Sequence, residues 1–375
     1  QQRALGMLLR GRNLRFARME QTYLYGADLR GADLTGADLS ATHLQFAIAS
    51  SATLRNALLK GATLDSVDLT GTRMQNVDAS GAKFRGSTLT FAQLQGAIMN
   101  DADLRGAVFD GAQLVGASFV RAHLEGTWFT ARLLLDAYEN DSMDLSKFEE
   151  RLSKKDKELY EDSAILEGVA MDDAHLQGST FLLVELDIAS FTEADLTGAS
   201  FDGAEMTGAR LAGATSLHAS FFESELASST GMSCAKLFFS GGADASRRLA
   251  LKKSPESIWL NVVEPKLKRA EVPVVARERI HRHILKDSNS DLSPSIRSLC
   301  RIRSGSSHAS ADYLRASDWI RDMRNAACQE PAIAHGIVRN LWILAAVVGK
   351  EDEGPISSYA EEHATALRAW ELEQQ

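Results

Sequence analysis

Residues 25–40 read YGADLRGADLTGADLS, and residues 101–115 read DADLRGAVFDGAQLV. Both have a period of five, which fits neither the 3.6-residue repeat of a helix nor the two-residue repeat of a strand. A unit of this length must join a strand fragment to a turn and repeat around a coil. The register extends far beyond these stretches. From Leu14 to Phe129 every fifth residue is Leu, Met or Phe except at Ala49 and Ala79, giving 24 consecutive units. Two residues before most centres stands a small residue, as at Ala27, Ala32, Ala62 and Ala107. A coil of short sides has a narrow axis, so large centres must alternate with small partners to fill it. Glycine between units suits a corner where a Cβ would be penalised.

A second array of 13 units runs from Leu166 to Leu226, with Ser216 its weakest centre. Phe129 and Leu166 are 37 residues apart, so the register breaks, and residues 130–163 read as an insertion of some 34 residues. Within it, Leu145, Phe148, Leu152 and Leu159 mark the apolar face of an amphipathic helix. Such a helix would lie against the rod or project toward a partner.

These units resemble the pentapeptide-repeat family, whose A(D/N)LxG-type repeats form a right-handed, four-sided β-helix with one unit per side. The resemblance covers residues of about 7–129 and 164–226, and it implies that centres and small residues point inward. At four units per coil the arrays make about nine coils. The expected fold is an all-β solenoid with a helical insertion and an α-helical C-terminal domain. Its parts are the first array (1–129), the insertion (130–163), the second array (164–226), a capping segment (227–260) and the helical domain (261–375). Leu237, Phe238 and Phe239 are expected to cover the last coil, because a solenoid end exposes strand edges. Near Met7 to Leu9 no cap is evident, which suggests upstream residues or self-association through that end.

All six prolines follow residue 254, and the pattern there turns helical. Helices are expected over 273–285, 311–329, 331–348 and 355–373, with Pro331 and Pro355 in first turns. The longest apolar run, Leu341 to Val348, is too short to span a bilayer. Cys234, Cys300 and Cys328 are too scattered for a disulfide scaffold or zinc site. No signal peptide is visible. These features favour a cytoplasmic location, and the resemblance adds the alternative of a longer, membrane-anchored bacterial protein.

The search for chemistry finds no phosphate loop, HExxH, GxSxG or clustered Cys/His ligands, so neither an enzyme nor a cofactor is expected. His281 and His283, two apart on a helix, should face different ways as solvated residues. His308 in its serine-rich loop has no spacing for a triad, and His43 and His123 fall on the outside of the rod. A deep pocket in the helical domain lined by His308, His281 or Cys300 would instead point to an enzyme, and a dry helical core would speak against one.

Charge is more informative. Residues 164–226 carry one basic and 11 acidic residues, whereas residues 247–324 carry 17 basic and nine acidic. Residues 20 apart stack in a four-unit coil, so Glu185, Glu205 and Glu225 form one outward column, and Glu167 and Asp187 form its neighbour. Asp173 and Glu193 stack on another side. Stacked like charges are destabilising and favour a cationic partner. One reading is an interaction scaffold that recognises a basic protein surface through Glu167, Glu185, Asp187, Glu205 and Glu225. The resemblance adds a second, because some family members mimic duplex DNA, bind gyrase and dimerise through C-terminal helices. In a third, the basic segment of this chain or of a neighbouring copy packs near the acidic coils. Sparse aromatic residues among its basic ones argue against nucleic-acid binding.

Overall fold

The computed structural model describes residues 6–130, 163–201, 203–216 and 255–285, with positions 219, 221, 224, 229, 333, 336 and 340. The five-residue unit sets its architecture. Within each array, the outward residue before a centre forms a parallel bridge with its equivalent 20 residues on, as in Asp28 with Ile48 and Asp33 with Thr53. The bridged residues fall into four columns of nine, starting at Leu8, Asn13, Arg18 and Tyr23 and ending at Ser200, Glu205, Arg210 and Thr215. These are sides one to four of nine coils.

Backbone groups are paired within this pattern. Leu29 N–H donates to the Ile48 carbonyl across the bridge, and Ala32 N–H closes the corner onto the Leu29 carbonyl. The third corner residue has a positive φ, 64° at Gly31, as a type II turn requires. The same geometry occurs at Phe16, Ala41, Phe46 and Asn56. There the coil imposes a conformation that their side chains disfavour.

The centres and small partners fill the axis, and nearly all are fully buried. Along side one, Phe109, Phe129, Phe181, Phe201 and Phe221 form a ladder with ring centroids 4.8 to 4.9 Å apart. Phe119 and Phe191 meet it edge-on. The two regular strands, β1 (Trp128–Phe129) and β2 (Thr180–Phe181), pair in parallel within this ladder. Their 52-residue offset shows that 32 residues are looped out of coil seven without disturbing the stack. Thr130 still accepts from Gly111 N–H, and Ile165 donates to Ala112. The coil therefore stays in register to Thr130 and resumes by Ser163, a slightly shorter insertion than expected. The inserted helix itself lies outside the described residues.

Residues 255–285 are helical, as expected for 273–285. They form α1 (Pro255–Ile258), a π-helical stretch (Trp259–Val263), α2 (Glu264–Arg269) and α3 (Val274–Leu285). After α2 the chain turns through Glu271, with φ of 58°, while Val272 N–H reaches the Leu267 carbonyl and Glu271 N–H the Lys268 carbonyl. This is a Schellman ending in which buried Val272 and Leu267 supply the apolar pair. On α3, Ala276, Ile280 and Ile284 repeat every four residues and are buried.

Together these elements strap the corner between sides two and three. Ile258, Trp259, Val263, Leu267, Val272, Ile280 and Ile284 form one apolar cluster with Val115 and Ile188 of the rod. The corner glycines admit them closely: a Cβ on Gly116 would lie 2.8 Å from Ile280 Cδ1. Residues 255–260 therefore lie on the rod's flank, a correction to their expected place in a terminal cap. Their apolar residues match the corner rather than an open coil end. Leu237, Phe238 and Phe239, and the helices expected at 311–329 and 355–373, lie outside the described residues. Among the described residues no helix is long and apolar enough to cross a membrane.

Candidate functional site

The acidic column stacks as its 20-residue spacing requires, for Glu185 bridges Glu205 and Gly168 N–H reaches the Asp187 carbonyl. Two of the acidic side chains, Glu167 and Glu185, meet the chain's own helix α2. Lys266 of α2 pairs with Glu167 and lies 3.0 Å from Glu185 Oε2. Glu167 is only 2% exposed. As a site for a separate partner it is thus a correction: α2 covers it. Asp187 accepts from Thr207 N–H at 2.8 Å. Glu225 lies outside the described residues.

One lysine thus faces two carboxylates of unequal burial. Burial, opposed by Lys266 and reinforced by Glu185, pushes the Glu167 carboxyl well above its ordinary range. Glu185 is lowered despite its burial, by Glu167 and Lys266. At the other end of the strap, His283 Nε2 lies 3.1 Å from Asp172 Oδ2, and Arg210 donates to the His283 and Ile284 carbonyls at 2.9 and 3.0 Å. Burial alone would raise the Asp172 carboxyl, but hydrogen bonds from His283 and Ser190 hold it at about 2. Arg55 pairs with Glu271 at the near end. The strap thus reaches from coil three to coil nine.

The expectation of two solvated histidines is also corrected. His281 stacks on Trp259 with centroids 4.5 Å apart, while His283 reaches Asp172. Both are half-buried because α3 lies between rod and solvent. Cys300 and His308 lie outside the described residues.

A second docking point was missed in the sequence. Gly336 lies so close to the corner between sides four and one that a Cβ would collide with the Gly178 carbonyl oxygen. Four residues on, buried Asn340 donates to the carbonyls of Ser179 and Gly198 at 3.0 and 2.9 Å and accepts from Thr180 Oγ1. Nothing in the local sequence distinguishes Asn340 from a solvated helix residue.

Two features remain on the outer surface. On coils one and two, Tyr23 stacks on His43 at 4.6 Å, and Tyr25 meets Phe46 edge-on at 5.3 Å. Tyr23, Tyr25 and Phe46 are 78%, 58% and 55% exposed. On coils six and seven, His123 and His175 stack at 4.6 Å with planes 5° apart, and His123 Nδ1 lies 3.0 Å from Glu125 Oε1. Ligand atoms of these three residues lie within 4.8 Å of one another. The 52-residue spacing across the insertion hides this pair from a search for clustered ligands.

A family model described as pentapeptide repeats matches in eight copies, over residues 8–40, 37–76, 50–86, 87–126 and 189–223. No curated protein matches the chain. Among solved structures, HetL, a pentapeptide-repeat protein involved in heterocyst differentiation regulation from the cyanobacterium Nostoc sp. strain PCC 7120, is 23% identical. The match covers 60% of this chain and 92% of HetL, with a TM-score of 0.30. A pentapeptide-repeat protein of the Arabidopsis thaliana thylakoid lumen is 31% identical over 26% of this chain and 68% of its own, with a TM-score of 0.26. QnrB1, a plasmid-mediated fluoroquinolone resistance protein, is 17% identical over 65% of this chain and 94% of its own, with a TM-score of 0.29. Likeness at this level says nothing about what this chain binds.

Proposed function

Because the chain is a pentapeptide-repeat protein through residues 8–126 and 189–223, we propose that it is a non-enzymatic protein–protein interaction scaffold whose acidic coils are an internal dock and whose first coils meet the partner. The carrying observation is the exposed cluster of Tyr23, Tyr25, His43 and Phe46. Aromatic side chains supply large contact area at small entropic cost, and they dominate binding energy when covered. Here they stand on a backbone fixed by hydrogen bonds at every corner, so little ordering is needed on association.

Engagement of Glu167, Glu185 and Asp172 by Lys266 and His283 supports the dock. It leaves less free negative charge for a basic partner or for mimicry of duplex DNA. The test is quantitative capture from cell lysate with three versions of the intact chain: wild type, Tyr23→Thr/Tyr25→Ser/Phe46→Asn, and Asp187→Asn/Glu205→Gln. Circular dichroism checks folding, and light scattering reports self-association. The proposal expects the captured proteins, or the oligomer, to be lost with the aromatic variant only. Capture of a gyrase that depends on Asp187 and Glu205 would overturn it.

A further inference from the structure

The stacked histidines on side four, His123 and His175, stand beside the Glu125 carboxylate. His123 belongs to coil six and His175 to coil seven, with the looped-out residues between them. Glu125, at the corner following His123, is only 8% exposed, and its Oε2 is buried without a hydrogen-bond partner. A buried carboxylate oxygen left in this state is costly unless a cation meets it. The equivalent corner residue of coil seven, Gln177, contributes a second buried oxygen without a donor, Oε1. Its amide nitrogen is already committed to Asp195 at 2.7 Å. Two imidazoles and a buried carboxylate thus bring their ligand atoms within 4.8 Å of one another, and a buried oxygen without a donor stands at this corner on each of the two coils.

We propose that His123, Glu125 and His175 form a site for a divalent transition-metal ion of the Zn²⁺ class, which clips coil six to coil seven across the insertion. Two imidazole nitrogens with one carboxylate suit Zn²⁺, Co²⁺ or Ni²⁺ better than Mg²⁺ or Ca²⁺, which prefer oxygen ligands. Donors sharing a tetrahedral zinc at about 2.0–2.2 Å stand roughly 3.4 Å apart. His123 Nδ1 and Glu125 Oε1, at 3.0 Å, already have nearly that separation. The ion takes the place of the proton between them, which is released to solvent.

His175 must then turn out of the stack, because parallel rings cannot aim their in-plane lone pairs at one point. It is exposed and has room to do so. Gln177 Oε1 or a water completes the shell. The ion links residues 52 positions apart, so it would hold the two arrays together beside the looped-out segment.

The test is titration of the tag-free full chain with Zn²⁺ by calorimetry and with Co²⁺ by visible absorption. The expected result is one ion per chain, with d–d bands of nitrogen and oxygen ligation. Loss of a residue that only orients a ligand costs about 10–100-fold in affinity, so His175→Ala and Glu125→Gln, which remove ligands, should each lose at least that much. His43→Ala, which removes a stacked histidine without a neighbouring carboxylate, should bind like wild type. Zn²⁺ should also raise the melting temperature of wild type but not of His175→Ala, while the two melt alike in chelator. Binding unaffected by His175→Ala or Glu125→Gln, or no stoichiometric binding to a folded chain, would overturn the proposal.

Discussion

At the scale of the residue, a corner is specified by its third position, and the cost of a side chain there depends on what lies outside. Gly31 has φ of 64° with nothing within 4 Å of an added Cβ, whereas Gly116 has the same φ and faces Ile280. Gly31→Ala should cost about 1 kcal/mol, from backbone strain alone. Gly116→Ala should cost more and should loosen the strap as well, measurable by urea denaturation and by hydrogen exchange of residues 255–285. Inward positions could be read directly, because a period of five aims the centres and small residues at the axis. Outward contacts could not. Glu167 and Glu185 carry the same charge in the sequence, and only the fold shows that burial raises the one while Glu167 and Lys266 hold the other lowered. His123 and His175 lack any spacing signal until the looped-out residues are removed.

At the scale of the element, the Phe ladder and the strap carry different risks. Phe181 is fully buried and touches Phe129, Phe191 and Phe201. Phe181→Ala should destabilise the rod by about 3–5 kcal/mol, since the hydrogen-bonded coil cannot collapse into the cavity; thermal melting checks this. The strap should respond to pH instead. Glu167 ionises above its ordinary 4.5 in the folded chain. Its contribution is therefore complete below that value and lost as pH rises through the raised one. Asp172, held at about 2, acts oppositely: its contribution is present above the ordinary 3.8 and lost as pH falls toward 2. Docking should be firmest between these limits. Glu167→Gln should abolish the alkaline loosening while leaving the acid limb intact, as followed by exchange rates in residues 255–285. Helix α3 was legible because Ala276, Ile280 and Ile284 share a face. Its docking corner was not, since that depends on the shape of the glycine-lined groove at Gly96, Gly116 and Gly168.

At the scale of the whole molecule, the opposite charges of residues 164–226 and 247–324 announced an attraction, yet they did not distinguish an internal contact from a partner's. The geometry favours the internal one, because an apolar seam through Val115, Ile188, Ile258 and Ile280 accompanies the ion pairs. Exposed pairs alone would contribute little. Coils three to nine are strapped along one corner, and the aromatic cluster is displayed on the first two. The measurement closest to the central claim is hydrogen exchange of the intact chain beside Ile280→Asp. Amides of α2 and α3 should exchange slowly in wild type and near their intrinsic rate in the variant, with residues 88–130 equally protected in both. Fast exchange of residues 264–285 in the wild-type chain would contradict the internal dock and return the acidic coils to an external partner.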